Sequence, residues 1–192
     1  MRRKPKAFIL LLLLLLGLYW GYSQYQTKQY TNAILPTYRA MDALQQKLEA
    51  IYDLGDGDEQ LLPGQIAECE RIQSTISELE AQLSDTPPPT SDSAKIKNSL
   101  ANALRSLREY NTAHAQYLKD CLMTVQQVHS LAVLGKQLNS SAANYASLAE
   151  YTAAFQKAKV RHMQLEEERE AVALARTSFL SKAKKEADAL LQ

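Results

Sequence analysis

The sequence predicts an all-α protein, in which an N-terminal transmembrane or signal-anchor helix precedes an antiparallel bundle of about four helices in two hairpins. Alanine, leucine, glutamine, glutamate, lysine and serine dominate the composition, and runs of β-branched residues are absent, as is typical of long helices. After the leader, apolar residues recur at spacings of three and four. The six glycines and six prolines cluster between these periodic segments, where helices are expected to end.

The leader is an apolar run, Ala7–Tyr22, that follows a short basic tail at residues 1–6 and has aromatic residues at its C-terminal end. Its cations are Arg2, Arg3, Lys4 and Lys6, and its aromatic residues are Tyr19, Trp20, Tyr22 and Tyr25. A helix of this length spans about 24 Å, which is short of a hydrocarbon core of about 30 Å. The aromatic residues fit a membrane surface and favour an uncleaved anchor at residues 7–23. The small residues Gly21 and Ser23 leave an alternative, a signal peptide cut after Ser23.

In both cases the distribution of cations predicts the orientation of the chain. Positive residues remain in the cytoplasm, so the N-terminus is expected there and the residues after about 24 outside. The predicted location is the cytoplasmic or inner membrane, with a single pass and a periplasmic or extracellular C-terminal domain.

Residues 24–84 are predicted to form the first helical hairpin. The first helix covers residues 24–54, where Pro36 should kink the helix or start it afresh, and Gly55 should end it. The second helix covers about residues 61–83, and it tolerates Pro63 because this residue falls in the first turn.

Residues 85–93 form a proline-rich linker, because consecutive prolines cannot be helical and favour polyproline II. Ser91 and Asp92 are the expected N-caps of the next helix. Residues 94–192 are then predicted to form a longer second hairpin, which turns near residue 138 and continues as a helix over about 142–190. This length predicts a coiled-coil-like projection beyond the first hairpin.

The third helix has the strongest apolar periodicity, which continues from Ile96 to Leu138 without a skip. This seam is the predicted packing or interaction surface, represented by Leu100, Leu107, Tyr110, Tyr117, Val128 and Leu131. The same residues are also able to serve packing within the chain alone.

The two cysteines are predicted to be buried thiols rather than a disulfide. A hairpin that turns near residue 88 places Cys69 opposite residue 108, and Cys121 is 13 residues further on, or about 20 Å along a helix. A disulfide needs Cα atoms within about 7 Å. The alternatives are that another helix brings the two together, or that they pair between chains.

Two histidines are the candidate metal ligands. A turn near residue 138 would place His114 opposite His162 in the seam, with Glu166 one turn further and Glu109 nearby. A structural polar layer is the favoured interpretation, and a pH-sensitive seam and a zinc site are the alternatives. No cofactor is predicted.

Three other features have simple interpretations. The segment with Asp56 and Asp58 resembles a calcium loop only in its alternating acids, so a solvated acidic turn is expected. The sequon at Asn139 matters only in a eukaryotic secretory pathway. The C-terminal cations, Arg176, Lys182, Lys184 and Lys185, are expected to stabilise a helix end and to form a solvated face, with contact to lipid headgroups as the alternative.

The sequence predicts an interaction protein and not an enzyme, because it contains no nucleophile elbow and no phosphate-binding glycine loop. The net charge is +1, of which the leader supplies +4, so the remainder at −3 argues against nucleic acid as a partner. The expected role is a scaffold or interaction module of an envelope assembly, with the lipid bilayer and a protein partner or second copy as partners. The alternatives are a ligand-sensing bundle that works through a partner, and a cleaved, exported helical binding protein.

Overall fold

The protein is built from long helices. The computed structural model describes residues 4–55, 59–138 and 145–191, with side chains from residue 9 onward except for 145–147, and all regular elements in these ranges are helical. The elements are α1 (Lys4–Leu54), α2 (Leu62–Ser84), α3 (Ser91–Leu138), α4 (Tyr145–Ser178), a π-helical turn (Phe179–Ala183) and α5 (Lys184–Leu191). The all-α prediction is confirmed, and α4, the turn and α5 together form the fourth long helical segment.

Helix α1 combines the leader and the first predicted bundle helix in one uninterrupted element. It continues through Pro36, so the prediction that the helix starts afresh there is wrong. Pro36 is exposed, as is Asn32 one turn earlier. The carbonyl of Asn32 loses its helical donor to the proline, and water can replace that donor on an exposed face.

The ends of α1 and α2 follow their sequence signals. Gly55 has a φ of 70°, the left-handed conformation that glycine adopts most easily, and it ends α1 as predicted. Its carbonyl accepts a hydrogen bond from Gln65 Nε2 at 3.1 Å, which fixes the start of α2 against the end of α1. Pro63 lies in the first turn of α2, as predicted.

Helix α3 begins with a cap that differs from the predicted one. Thr90 Oγ1 accepts a hydrogen bond from the backbone N–H of Ser93 at 3.1 Å, so Thr90 takes the role expected of Ser91 or Asp92. Thr90 Oγ1 also lies 2.8 Å from Thr27 Oγ1 of α1. The α2–α3 connection is therefore held beside the first residues of α1 that follow the leader.

The hydrophobic core occupies one part of the molecule. Helix α3 packs against α1, α2 and α4–α5, so it is the central element of a four-helix bundle. The core begins at Tyr30 on α1 and ends at Cys121 on α3, and on the last helical segment it includes Val172, Phe179 and Ala187. The fully buried side chains include Tyr110 and Phe179, with leucines and isoleucines from the first three helices.

Beyond this core, α3 and α4 form a projecting hairpin of residues 122–138 and 148–160, with Asp120 and Arg161 level with each other at its base. The side chains in these ranges are half-buried or exposed, and none of them is fully buried. At about 1.5 Å per residue, the 48 residues of α3 extend about 70 Å from the level of Thr27 to the end of the hairpin. The second hairpin therefore projects beyond the first.

Within the described residues, no helix is both long enough and apolar enough to cross a membrane, so the anchor predicted at residues 7–23 gains no support here. Arg2 and Arg3 lie outside the described part of the chain, as do the side chains of Lys4 and Lys6. The acidic turn with Asp56 and Asp58 and the sequon at Asn139 also fall outside it.

Candidate functional site

A polar cluster lies at the boundary between the core and the projecting hairpin, where α1, α3 and α4 meet. Arg176 of α4 donates from Nε to Glu49 Oε2 of α1 at 2.8 Å, and its guanidinium lies 4.6 Å from the ring centroid of Tyr52. The hydrogen bond to Glu49 raises the pKa of Arg176, so the cation is held charged. Burial, with Glu49 nearby, raises the pKa of Tyr110, so its phenol stays protonated.

His114 belongs to this cluster. It is 3% exposed, its ring stacks on Tyr110 at a centroid distance of 6.1 Å, and Tyr52 meets it edge-on at 5.7 Å. Aromatic pairs at these separations stabilise a core beyond their buried area. The ring therefore packs as a member of an aromatic group in the core.

His162 does not share this environment, because its side chain is exposed. The register of the hairpin explains the difference. Asp120 of α3 forms an ion pair with Arg161 of α4, and Asp120 is six residues beyond His114. Since the two helices run in opposite directions, His114 lies opposite residue 167 or so, five residues past His162. The expectation that the two histidines face each other is therefore wrong.

The metal candidates are not brought together. Glu166 is exposed, like His162, and the described residues contain no group of three or more His, Cys, Asp or Glu side chains able to hold a metal ion. His114 instead lies beside a cavity of about 120 Å³. Tyr52, Tyr117 and Val172 form its apolar walls, and Arg169 provides a guanidinium. This arrangement suits a small molecule with an apolar body and a negative charge.

The ion pair at the base of the hairpin was not anticipated from the sequence. The side chain of Asp120 is 4% exposed and that of Arg161 is 21% exposed, so both charges are largely removed from water. Gln116 Nε2 donates to Asp120 Oδ2 at 2.8 Å, which satisfies a further lone pair. Such a pair fixes the register of two helices, because a shift by one turn would leave both charges without a partner.

Both cysteines are buried thiols and not a disulfide, as predicted. Asn111 Nδ2 donates to the carbonyl of Cys69 at 2.9 Å, which places Cys69 level with Asn111 rather than with Cys121. Burial raises the pKa of the Cys69 thiol to about 11, and nearby Glu68 and Glu70 add to the effect. The thiol is therefore protonated at neutral pH and poorly nucleophilic.

The C-terminal cations do not follow either prediction fully. Lys184 pairs with Asp42 of α1, and Arg176 with Glu49, so these two residues join helices rather than stabilise a helix end. Lys182 and Lys185 are exposed. Lys184 lies level with Asp42, 19 residues or about 28 Å beyond Ser23. The alternative of contact with lipid headgroups fails, because a membrane surface near Ser23 would be too distant.

The predicted seam divides into two parts. Leu100, Leu107, Tyr110 and Tyr117 are at most 9% exposed and pack inside the bundle, so they cannot contact a partner. Leu131 is half-buried between the helices of the hairpin, and Val128 is 55% exposed. Only the distal part of the seam therefore remains accessible.

The half-buried residues of α4 identify the face of this helix that packs against α3. Tyr151, Ala154, Ala158, Arg161, Leu165 and Glu168 alternate at spacings of three and four. In a pair of antiparallel helices, the residues that directly follow Ala154 and Arg161 lie on one flank of the hairpin. The opposite flank has grooves lined by Met123, Gln127, Ser130, Lys157, Val160 and Gln164.

The first of these flanks is apolar. We define the apolar flank by Val128, Gly135, Leu148 and Phe155. Val128 is 55%, Leu148 52% and Phe155 51% exposed. A methyl group added to Gly135 would lie 3.7 Å from the ring of Tyr151, so the two helices approach closely here.

Comparisons of the chain with protein-family models, with curated proteins and with solved structures give no match, so the candidate sites rest on the residues described above.

Proposed function

We propose that the protein is a membrane-anchored scaffold, in which the leucine segment enters a lipid bilayer and the helical bundle holds an interaction hairpin away from it on the extracytoplasmic side. The observation that carries the proposal is the exposure of the leader. Ile9, Leu10–Leu16 and Leu18 are each 46–69% exposed and pack against nothing else in the described chain.

Such a surface is unfavourable in water, because each exposed leucine lacks the stabilisation of about 1.5–3 kcal/mol that full burial of its side chain would give. A bilayer removes this cost around the whole circumference of the helix, which a single protein groove does less completely. The apolar run is short for a span, so the aromatic side chains of Tyr19, Trp20 and Tyr22 would lie at headgroup level. They are 60–74% exposed, as such a belt requires.

The rigid continuity of α1 supports the scaffold role. The helix that carries the leucines also contributes Tyr30, Ile34 and Met41 to the core, so the bundle and the leader are mechanically coupled. Helix α3 then extends about 70 Å away from the leader end. A tether that is rigid at its base would hold the hairpin end at a defined distance from the membrane.

Flotation of the full chain with liposomes tests the anchor. We expect the parent protein to float with the vesicles and to resist extraction with alkaline carbonate. Leu12→Glu/Leu15→Glu should abolish flotation, because each charge at the centre of a span costs about 2.5–3.5 kcal/mol. The control Val160→Glu/Leu174→Glu changes two other exposed apolar residues and should float like the parent. A parent protein that stays in the aqueous fraction would refute the anchor.

The intact mass of the protein isolated from cells separates anchoring from cleaved export. The full mass supports the anchor, whereas loss of the first 23 residues supports a signal peptide cut after Ser23. A bundle released by that cut would keep its core, since the first core residue is Tyr30.

A second candidate function, small-ligand binding, is favoured by the cavity beside His114. Its aromatic walls and Arg169 suit an aromatic carboxylate, and benzoate is a suitable probe. Benzoate at ten times its dissociation constant should stabilise the fold by about 1.4 kcal/mol, or a few degrees in melting temperature. Arg169→Gln should remove the shift and Arg105→Gln, an exposed arginine remote from the cavity, should keep it. No shift in the parent protein would exclude this ligand class.

A further inference from the structure

We propose that the apolar flank of the projecting hairpin binds the same flank of a second copy of this chain, so that the two hairpins form a four-helix bundle. This inference rests on the proposed scaffold function and names its partner.

The distribution of charge indicates that the hairpin surface is covered by protein rather than by water. Residues 121–135 contain no Asp, Glu, Lys or Arg, and between Asp120 and Glu150 the only charged residue is Lys136. Charged residues make up 22% of the whole chain. A surface that faces water normally carries interspersed charges of both signs. The α3 arm of the hairpin therefore has the charge depletion that is typical of an interface core, whereas the α4 arm carries Glu150, Lys157 and Lys159.

The side chains on the flank support the same conclusion. The apolar residues Val128, Leu148 and Phe155 remain more than half exposed, although they belong to the same apolar stripes that form the hairpin. Their stripe is wider than the hairpin can bury by itself. The opposite flank also exposes Met123 and Val160, but it combines them with glutamine, serine and lysine side chains, whereas the apolar flank has no such polar residues among its members.

A second copy fits this flank better than a charged partner does. A two-fold interface brings each residue of the patch close to the same patch, so like charges would repel across it. The apolar flank carries no charge and is compatible with itself. A highly charged partner helix would find no complementary residue on it.

The geometry of two hairpins agrees with this pairing. A two-fold axis parallel to the hairpins places α3 of each copy beside α4 of the other, so that all neighbouring helices are antiparallel. Both leaders then point in the same direction, as two chains anchored in one membrane require. The apolar flank spans about 10 Å of each helix and lies within a projecting hairpin about 25 Å long and about 20 Å wide. Two copies that meet along the whole hairpin bury roughly 1,000 Å², the lower limit for a specific interface.

Sedimentation equilibrium of the full chain in density-matched detergent micelles tests the proposal. We expect a protein mass of about twice the 21.5 kDa chain. Val128→Glu/Phe155→Glu should reduce the mass to one chain while the helical circular dichroism stays unchanged. The milder Val128→Ala/Phe155→Ala should raise the dissociation constant at least tenfold without adding charge.

The matched control is Ser130→Glu/Gln164→Glu, which adds the same charge to exposed residues of the opposite flank and should remain dimeric. A parent protein that is monomeric up to about 100 µM overturns the proposal, as does a Val128→Glu/Phe155→Glu variant that stays dimeric. A parent protein that floats with liposomes but sediments as one chain would refute the dimer and leave the anchor intact. A parent protein that dimerises but does not float would do the reverse.

Discussion

Removal of Arg161 from the base of the hairpin should destabilise the protein more than removal of the whole ion pair. Arg161→Met leaves the carboxylate of Asp120, whose side chain is 4% exposed, with Gln116 as its remaining side-chain donor. An unpaired charge at this depth costs about 3–5 kcal/mol of unfolding free energy. For a chain of this length the cost corresponds to a loss of roughly 6–20 °C in melting temperature.

The double variant Asp120→Leu/Arg161→Met separates charge from packing. Hydrophobic residues of similar volume at both positions remove the desolvation cost of both ions, so stability should return to within about 1 kcal/mol of the parent or exceed it. Thermal and urea unfolding of the full chain in detergent, followed by circular dichroism, measures both quantities. Lys119→Met is the control, because its pair with Glu70 is exposed and should be worth less than about 1 kcal/mol. The reasoning fails if Arg161→Met costs less than that control, or if the double variant loses as much as the two single variants combined.

Three other predictions test the core and the polar cluster. Arg176→Ala should cost about 2–4 kcal/mol in urea unfolding, because it leaves the carboxylate of Glu49, 18% exposed, without its guanidinium, and a neutral result would contradict the cluster. Leu107→Ala removes a fully buried side chain and should lower the free energy of unfolding by about 2–5 kcal/mol. Leu174→Ala, at a residue that is 73% exposed, should change it by less than about 0.5 kcal/mol, and equal losses would contradict the burial of Leu107. The pKa of Cys69 is raised to about 11, so at pH 8 its thiolate fraction should be about 100-fold below that of the unfolded thiol. Its alkylation, followed by mass spectrometry, should therefore be slower than that of the unfolded thiol by at least this factor, and should accelerate as pH rises. Alkylation as fast in the native protein as in urea would contradict the burial of this thiol.

The helix boundaries were predictable because local signals determine them. Gly55 and Pro63 mark the connection between the first two helices, and the prolines after Ser84 prevent α2 from continuing. The apolar periodicity of α3 predicted a single long helix, and it extends from Ser91 to Leu138. These features depend on residues within a few positions of each other, which a sequence contains directly.

The register of the hairpin was not predictable in the same way. A turn near residue 138 places His162 in the seam opposite His114, but His162 is one position away from the residue of α4 that lies in the seam. The structure instead brings Ala154 and Arg161 into the half-buried positions. Small alanines allow two helices to approach closely, and Arg161 is drawn inward by Asp120. Both effects depend on the facing helix, so the choice between adjacent positions needs the tertiary structure.

The contacts between α1 and the end of α4 have a similar origin. Glu49 and Arg176 are 127 residues apart, and each has several possible partners of opposite charge. Which pair forms depends on how the last helical segment returns along α1 toward the leader. The same return explains why Lys184 reaches Asp42 and not a membrane surface.

In the proposed dimer, the two halves of α3 place stability and interaction in separate parts of one helix. From Ser93 to Cys121 the helix buries at least one residue in every turn, so substitutions there should act on the unfolding free energy. Beyond Cys121 no described residue of α3 is fully buried and charge is nearly absent, so substitutions there should act on association instead. The ion pair of Asp120 and Arg161 lies at this boundary and fixes the register of the distal part. The hairpin is therefore positioned by interactions at its base, and the exposed flank that we propose as the dimer contact lies beyond them.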